Sequence, residues 1–257
     1  MFRGLRVARR KALIAFVTAG YPSPAATPRL VRALESAGAD LVELGVPFSD
    51  PLADGATIQH TSHQALAKGM TLHRVLDAVR TARRQGVRLP LVLMTYLNPV
   101  ESFGRATFAR AAAAAGVDGV IVPDLPAEEA APLLRALRSA GLALIMLVAP
   151  TSGSRRARAA ARLSDGFVYL VSVTGVTGAR RRLSSDVAAF ARSVRRVTSK
   201  PLAVGFGLAR PEQIRALRAS ADGFIVGSAI LERIRANPGH WEKPLRRFVG
   251  AMHHACR

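Results

Sequence analysis

Short apolar runs and longer amphipathic stretches alternate along the whole chain. The runs occupy 12–20, 41–47, 91–96, 119–124, 142–150, 167–173, 202–208 and 223–230. Each is dense in Val, Leu and Ile at consecutive positions, as in strands covered on both faces. Between them, apolar residues return at helical spacing over 28–37, 72–84, 106–115, 127–140, 155–163, 186–197 and 211–219, and a last helix is predicted at 244–255. Gly116 and Gly141 fall just past such stretches, where a left-handed helix cap is wanted. Strands alternating with helices pair in parallel. The predicted fold is α/β, a single-domain (β/α)8 TIM barrel spanning residues 1–257. An open doubly wound sheet would carry a glycine-rich fingerprint after its first strand, and Gly20-Tyr21-Pro22 does not supply one.

Composition narrows the picture. Of the 257 residues 49% are hydrophobic and mean hydropathy is +0.19. No apolar run approaches the roughly 18 residues of a membrane span, so a cytoplasmic protein is expected. Cys256 is the only cysteine, which excludes an intrachain disulfide and a cysteine-ligated metal site. Arg3, Arg6, Arg9, Arg10 and Lys11 precede the first apolar run, an outline shared with secretory signals. We read the run as a buried strand, because the remaining runs supply only seven. The formal net charge is +20, and since only Lys11, Lys68, Lys200 and Lys243 are lysines, 33 of the 37 basic residues are arginine. Such a charge suggests nucleic acid or acidic partners. The arginines are spread along the helices without a recognition motif, so no nucleic-acid partner is expected.

Active sites of TIM barrels sit at the C-terminal ends of the strands. Unusual residues gather there: Glu43, Tyr96, Asn98, Asp124, Tyr169, the 174–178 segment, Gly205-Phe206-Gly207 and Gly227-Ser228. The strand starts show nothing comparable. Three glycine turns, Gly175–Gly178, Gly205–Gly207 and 227–229, follow the last three strands. Glycine lets backbone amides approach an anion, and a following helix N-terminus adds a favourable dipole. A small phosphorylated substrate is therefore expected.

Glu43 lies inside an apolar run, where a carboxylate is costly unless it is paired, protonated or used. Its even spacing with Gly45 and Pro47 points it into the lumen, where desolvation should raise its pKa and make it a proton donor. Asp54, in the following loop, should stay ionised. Together they suit proton transfer with stabilisation of positive charge; an Asp-Gly turn is the other reading of Asp54. No metal site is expected, and His60 and His63 are read as solvent-facing.

The segment Glu43–Gln59, ELGVPFSDPLADGATIQ, resembles the signature of the α chains of tryptophan synthase, the indole-3-glycerol-phosphate lyase family. Phe16–Pro22, Met94–Tyr96, Val122–Pro126, Gly175–Gly178, Gly205–Gly207 and Gly227–Ile230 match further pieces in family order, nearly end to end. The resemblance implies retro-aldol cleavage of indole-3-glycerol phosphate to indole and glyceraldehyde 3-phosphate. It implies that Glu43 is the acid/base and that Asp54 holds the indole N–H. It implies that Thr177 pairs with Asp54 on closure, that Gly178, Gly207, Gly227 and Ser228 bind phosphate, and that Phe16, Tyr96, Tyr169 and Phe206 line the indole pocket. It implies no cofactor in this chain, and a β chain carrying pyridoxal phosphate as partner in an α2β2 complex, contacted by Pro47, Asp50 and Pro51. Two alternatives stay open: a stand-alone lyase releasing free indole, and an idle barrel that only activates a β chain.

Overall fold

The computed structural model describes residues 1–171, 180–205 and 207–257, with the backbone alone for 180–184. Among these residues nine strands form one parallel sheet: β1 (Ala12–Thr18), β2 (Leu41–Gly45), β3 (Leu91–Met94), β4 (Gly119–Ile121), β5 (Ala143–Ile145), β6 (Leu147–Val148), β7 (Val168–Val171), β8 (Leu202–Gly205) and β9 (Gly223–Val226). Their order is β5-β4-β3-β2-β1-β9-β8-β7-β6. The two outermost strands are halves of one extended run joined through Met146, so the sheet closes on itself as a barrel. The sequence pattern predicts one strand over 142–150. The ladder breaks because the Met146 amide donates to the Ser164 hydroxyl at 3.0 Å instead of to a neighbouring strand. The Met146 carbonyl still accepts from the Tyr169 amide at 3.0 Å and keeps the seam shut.

Side chains of alternate parity separate into two layers. Ala12, Ile14, Leu41, Val92, Ile121, Ile145, Tyr169, Ala203 and Ile225 fill the lumen. Leu13, Ala15, Val17, Val42, Leu44, Leu93, Leu144, Leu170, Val204 and Phe224 pack outward against the helices. The predicted helices form with shifted ends. For example, Ala131–Ser139 starts four residues later than the pattern suggests, with Pro132 in its first turn, where a missing amide hydrogen costs nothing. Helices Phe2–Val7, Ala56–Ala67, Leu97–Phe103 and Ser228–Ala236 are additional to the predicted set. The basic lead-in is thus partly helical and leads into a fully buried first strand.

The strand starts do carry a repeated polar device, contrary to the sequence reading. Asp40, Asp118, Asp165 and Asp222 stand just before alternate barrel strands. Each donates its amide to a carbonyl of the preceding strand, at Leu13, Leu91, Leu144 and Leu202 respectively. Each carboxylate accepts the amide of that same leucine, at 2.8, 2.7, 3.4 and 2.9 Å. An arginine closes each clamp: Arg10, Arg83, Arg138 and Arg195. Only the folded register reveals this, because the four aspartates share no long motif. Cys256 is buried at the same end, with its thiol pushed up to about 12 by burial.

Candidate active site

The lumen floor is apolar, and the polar groups begin one layer above it. Glu43 on β2 is in register with Phe16 on β1 and Val92 on β3, and its side chain is fully buried. Among the described residues neither carboxylate oxygen has a hydrogen-bond partner. Burial first, and the nearby Asp54 charge second, push its pKa up to about 8, so it is protonated at pH 7. The expected lumen position and raised pKa are what the folded chain produces.

Asp54 sits half-buried in the loop between β2 and the helix Ala56–Ala67. Burial raises its pKa to about 6, opposed by a hydrogen bond from the Tyr96 hydroxyl. The ionised form therefore predominates at neutral pH, though by a smaller margin than an open loop would give. Tyr96 is buried at the end of β3 and anchors the loop. Its hydroxyl accepts the Ala53 amide at 2.9 Å, and its ring stacks on Phe48 at 5.2 Å between centroids. Burial and the Asp54 charge raise the Tyr96 pKa, which keeps it a neutral donor.

Above these residues opens a cavity of about 840 Å³. Its wall includes Phe16, Asp54, Tyr169, Gly207, Gly227 and Ser228. Glu43 and Tyr96 lie just behind this wall, not in it. Two glycines of the lumen make room for the aromatic rings. A Cβ at Gly45 would stand 2.6 Å from the Phe16 ring, and one at Gly205 would stand 2.7 Å from the Tyr169 ring and hydroxyl. Gly205 thus seats Tyr169, a role its turn motif does not reveal. Burial, then the Glu43 and Asp54 charges, hold the Tyr169 phenol well above its ordinary pKa.

On the opposite side Gly207 takes a φ of +62°, a conformation glycine adopts freely. Gly227 caps the helix Ser228–Ala236, whose first amides have no acceptor within the helix. An anion placed there meets free N–H groups and the positive end of the helix. Thr177, Gly178 and Phe206 lie outside the described residues.

The loop after β2 presents different residues outward. Pro47 is buried at the strand end, Pro51 is half-buried, and Asp50 is exposed. Pro47 therefore offers little surface to a partner, and the apolar residue that does is Leu52, 95% exposed. His60 and His63 face solvent. Sequence reasoning also missed Met94, Met146, Leu147 and Ile225 in the cavity wall, since nothing distinguishes them from core residues until the barrel closes.

Known proteins are similar to this chain in both sequence and architecture. The family model described as tryptophan synthase alpha chain matches residues 2–255. A tryptophan synthase alpha chain from Geobacter sp. (strain M21) is 52% identical over 252 residues, covering 98% of this chain and 94% of its own. One from Roseiflexus castenholzii is 49% identical, covering 96% and 95%. Among solved structures, tryptophan synthase subunit alpha from Legionella pneumophila superposes with a TM-score of 0.91 at 34% identity, over 99% of this chain and 96% of that one. A Mycobacterium tuberculosis tryptophan synthase chain gives 0.91 at 38% identity, over 100% and 96%.

Proposed function

This chain belongs to the tryptophan synthase α chain family, and from that membership we propose that it cleaves indole-3-glycerol phosphate to indole and glyceraldehyde 3-phosphate. It is then a carbon–carbon lyase acting in tryptophan biosynthesis. The observation that carries the reading is the pair of carboxylates at one end of the barrel: Asp54, ionised, shares a single cavity with a glycine-built anion site, and Glu43, protonated, lies just behind the wall of that cavity.

The chemistry needs two proton movements that cancel. Glu43 donates its proton to the ring carbon that bears the side chain, and the ring becomes cationic. Asp54 accepts the indole N–H and stabilises that charge. The bond between this carbon and the side chain then breaks. Its electrons restore the aromatic ring, while the adjacent hydroxyl becomes the aldehyde and its proton returns to Glu43. Phe16 and Tyr169 flank the indole, with Phe206 as a further wall in this reading. Gly178, Gly207, Gly227 and Ser228 hold the phosphate through backbone amides, and Thr177 pairs with Asp54. Tyr96 supports the pocket from behind Asp54.

The whole chain acts as one barrel domain. We assign it a β chain as partner in an α2β2 assembly, with pyridoxal phosphate confined to that β chain and no cofactor here. Asp50, Pro51 and the exposed Leu52 are the contact we favour, with Pro47 shaping the segment from inside. Among the described residues no helix is long and apolar enough to cross a membrane, and a cytoplasmic location fits a biosynthetic enzyme.

The test is indole release from indole-3-glycerol phosphate, with and without a β chain. Indole should form, faster with the β chain. Glu43→Gln should abolish it with the fold intact by circular dichroism. Near-normal turnover in that variant would remove Glu43 from the mechanism. Equal rates with and without the β chain would favour the stand-alone lyase. No indole in either case would favour the idle barrel.

A further inference from the structure

Asp124 lines the cavity, yet the lyase chemistry gives it no task. Both of its carboxylate oxygens accept the Leu97 amide, at 3.0 and 3.1 Å. Leu97 opens the helix Leu97–Phe103, and the residue before it is Tyr96, the N-cap. The Tyr96 side chain makes no capping hydrogen bond, so Asp124 satisfies a helix amide that has no other acceptor among the described residues.

Tyr96 holds the loop after β2 at three points. The Ala53 amide rests on its hydroxyl, Asp54 accepts from that hydroxyl, and Phe48 stacks on its ring. The remaining bonds of this segment run mainly within it or to the helix that follows, as Leu52 to Asp50, Asp54 to Pro51 and Gln59 to Asp54. Tyr96 itself is fixed from both sides. The Thr95 amide donates to the Ile121 carbonyl at 3.0 Å, and the Leu97 amide donates to Asp124. Both acceptors belong to β4 and the turn after it.

We infer that Asp124 is a positioning residue that acts on Asp54 through Tyr96: its carboxylate fixes the backbone at Leu97 and so aims the phenol on which Asp54 and Ala53 rest. The inference rests on the lyase reading for its effect on rate, though the mechanical link does not. A direct substrate contact is the competing role, since Asp124 is exposed to the cavity. That role would raise KM and act independently of Tyr96.

The experiment uses the full chain with its β chain and four variants: Asp124→Ala, Asp124→Asn, Tyr96→Phe and the Asp124→Ala/Tyr96→Phe double. We expect kcat for indole release to fall about tenfold in Asp124→Ala with KM nearly unchanged. Asp124→Asn, which keeps an acceptor for the Leu97 amide, should recover most of the loss. The double variant should be little worse than Tyr96→Phe alone, because both changes cut one path. Amide exchange at Ala53 should speed up in Asp124→Ala. Wild-type kcat with unchanged Ala53 exchange in Asp124→Ala would overturn the inference. So would multiplicative losses in the double variant, or a change confined to KM. If the wild-type chain makes no indole, the lyase reading fails by itself. Ala53 exchange then still decides the link, faster exchange supporting it and unchanged exchange overturning it.

Discussion

At the scale of single residues, Glu43 and Asp54 owe their different protonation states to different depths in one site. Glu43 is wholly enclosed and meets no donor among the described residues to stabilise its anion, whereas Asp54 keeps the Tyr96 hydroxyl. The proposed reaction uses Asp54 ionised and Glu43 protonated. The pH profile of kcat/KM should therefore be a bell, rising as Asp54 ionises near pH 6 and falling as Glu43 ionises near pH 8. The two groups interact, so the limbs belong to the pair. A plateau through pH 9 would contradict this assignment. The same burial affects stability. A carboxyl whose pKa is raised on folding binds more protons in the native state, so its contribution declines as pH rises from its unfolded value of 4.5 toward about 8. The decline amounts to about 1.4 kcal/mol per pH unit in that window. Glu43→Gln should flatten it, so urea unfolding should find the variant more stable than wild type at pH 8 and similar at pH 4.5. Parallel stability curves for the two proteins would rule out a buried, unpartnered acid.

The elements are tied together at their starts, away from the chemistry. Each aspartate clamp joins two neighbouring strands through both the amide and the carbonyl of one leucine, with an arginine completing the charge balance. Asp40 is the best enclosed, with 11% of its side chain exposed, and its oxygens meet Arg10 at 2.6 and 2.9 Å. Asp40→Ala should destabilise the fold by about 1–3 kcal/mol, because it strands the Leu13 amide and a partly buried guanidinium. Chemical denaturation measures the loss. The kcat of the folded variant should be unchanged, since the clamp lies at the opposite end of the strands from Glu43 and Asp54. Four of the 33 arginines thus have a definite structural task that a composition bias alone would not assign.

For the whole molecule, 37 basic residues face only 17 acidic ones, so no arrangement of ion pairs neutralises the surface. Many of the pairs that form are exposed and worth little each, as Arg80–Asp77 and Arg215–Glu212 illustrate. Repulsion among the remaining charges opposes the compact state and is screened within about 10 Å at moderate ionic strength. The melting temperature should therefore rise as sodium chloride is added, before any specific salt effect. A melting temperature that falls with salt would mean that attractive pairs dominate. The same surplus suits an acidic β chain, and complex formation should then weaken with added salt.

The alternation of apolar runs and amphipathic stretches was enough to determine a parallel α/β barrel, because burial on both faces imposes that pattern whatever the side chains do later. It also marked Glu43, since a charge in a two-sided strand stands out against its neighbours. Parity along the strand by itself points its side chain into the lumen. Tertiary structure alone decided the break at Met146, because it depends on a hydroxyl eighteen residues away at Ser164. It alone revealed the four aspartate clamps and the seats that Gly45 and Gly205 provide for Phe16 and Tyr169. It also moved Asp54 from an open loop to a half-buried site pinned by Tyr96. Each of these rests on contacts between residues far apart in sequence, and such distances are set only when the barrel closes.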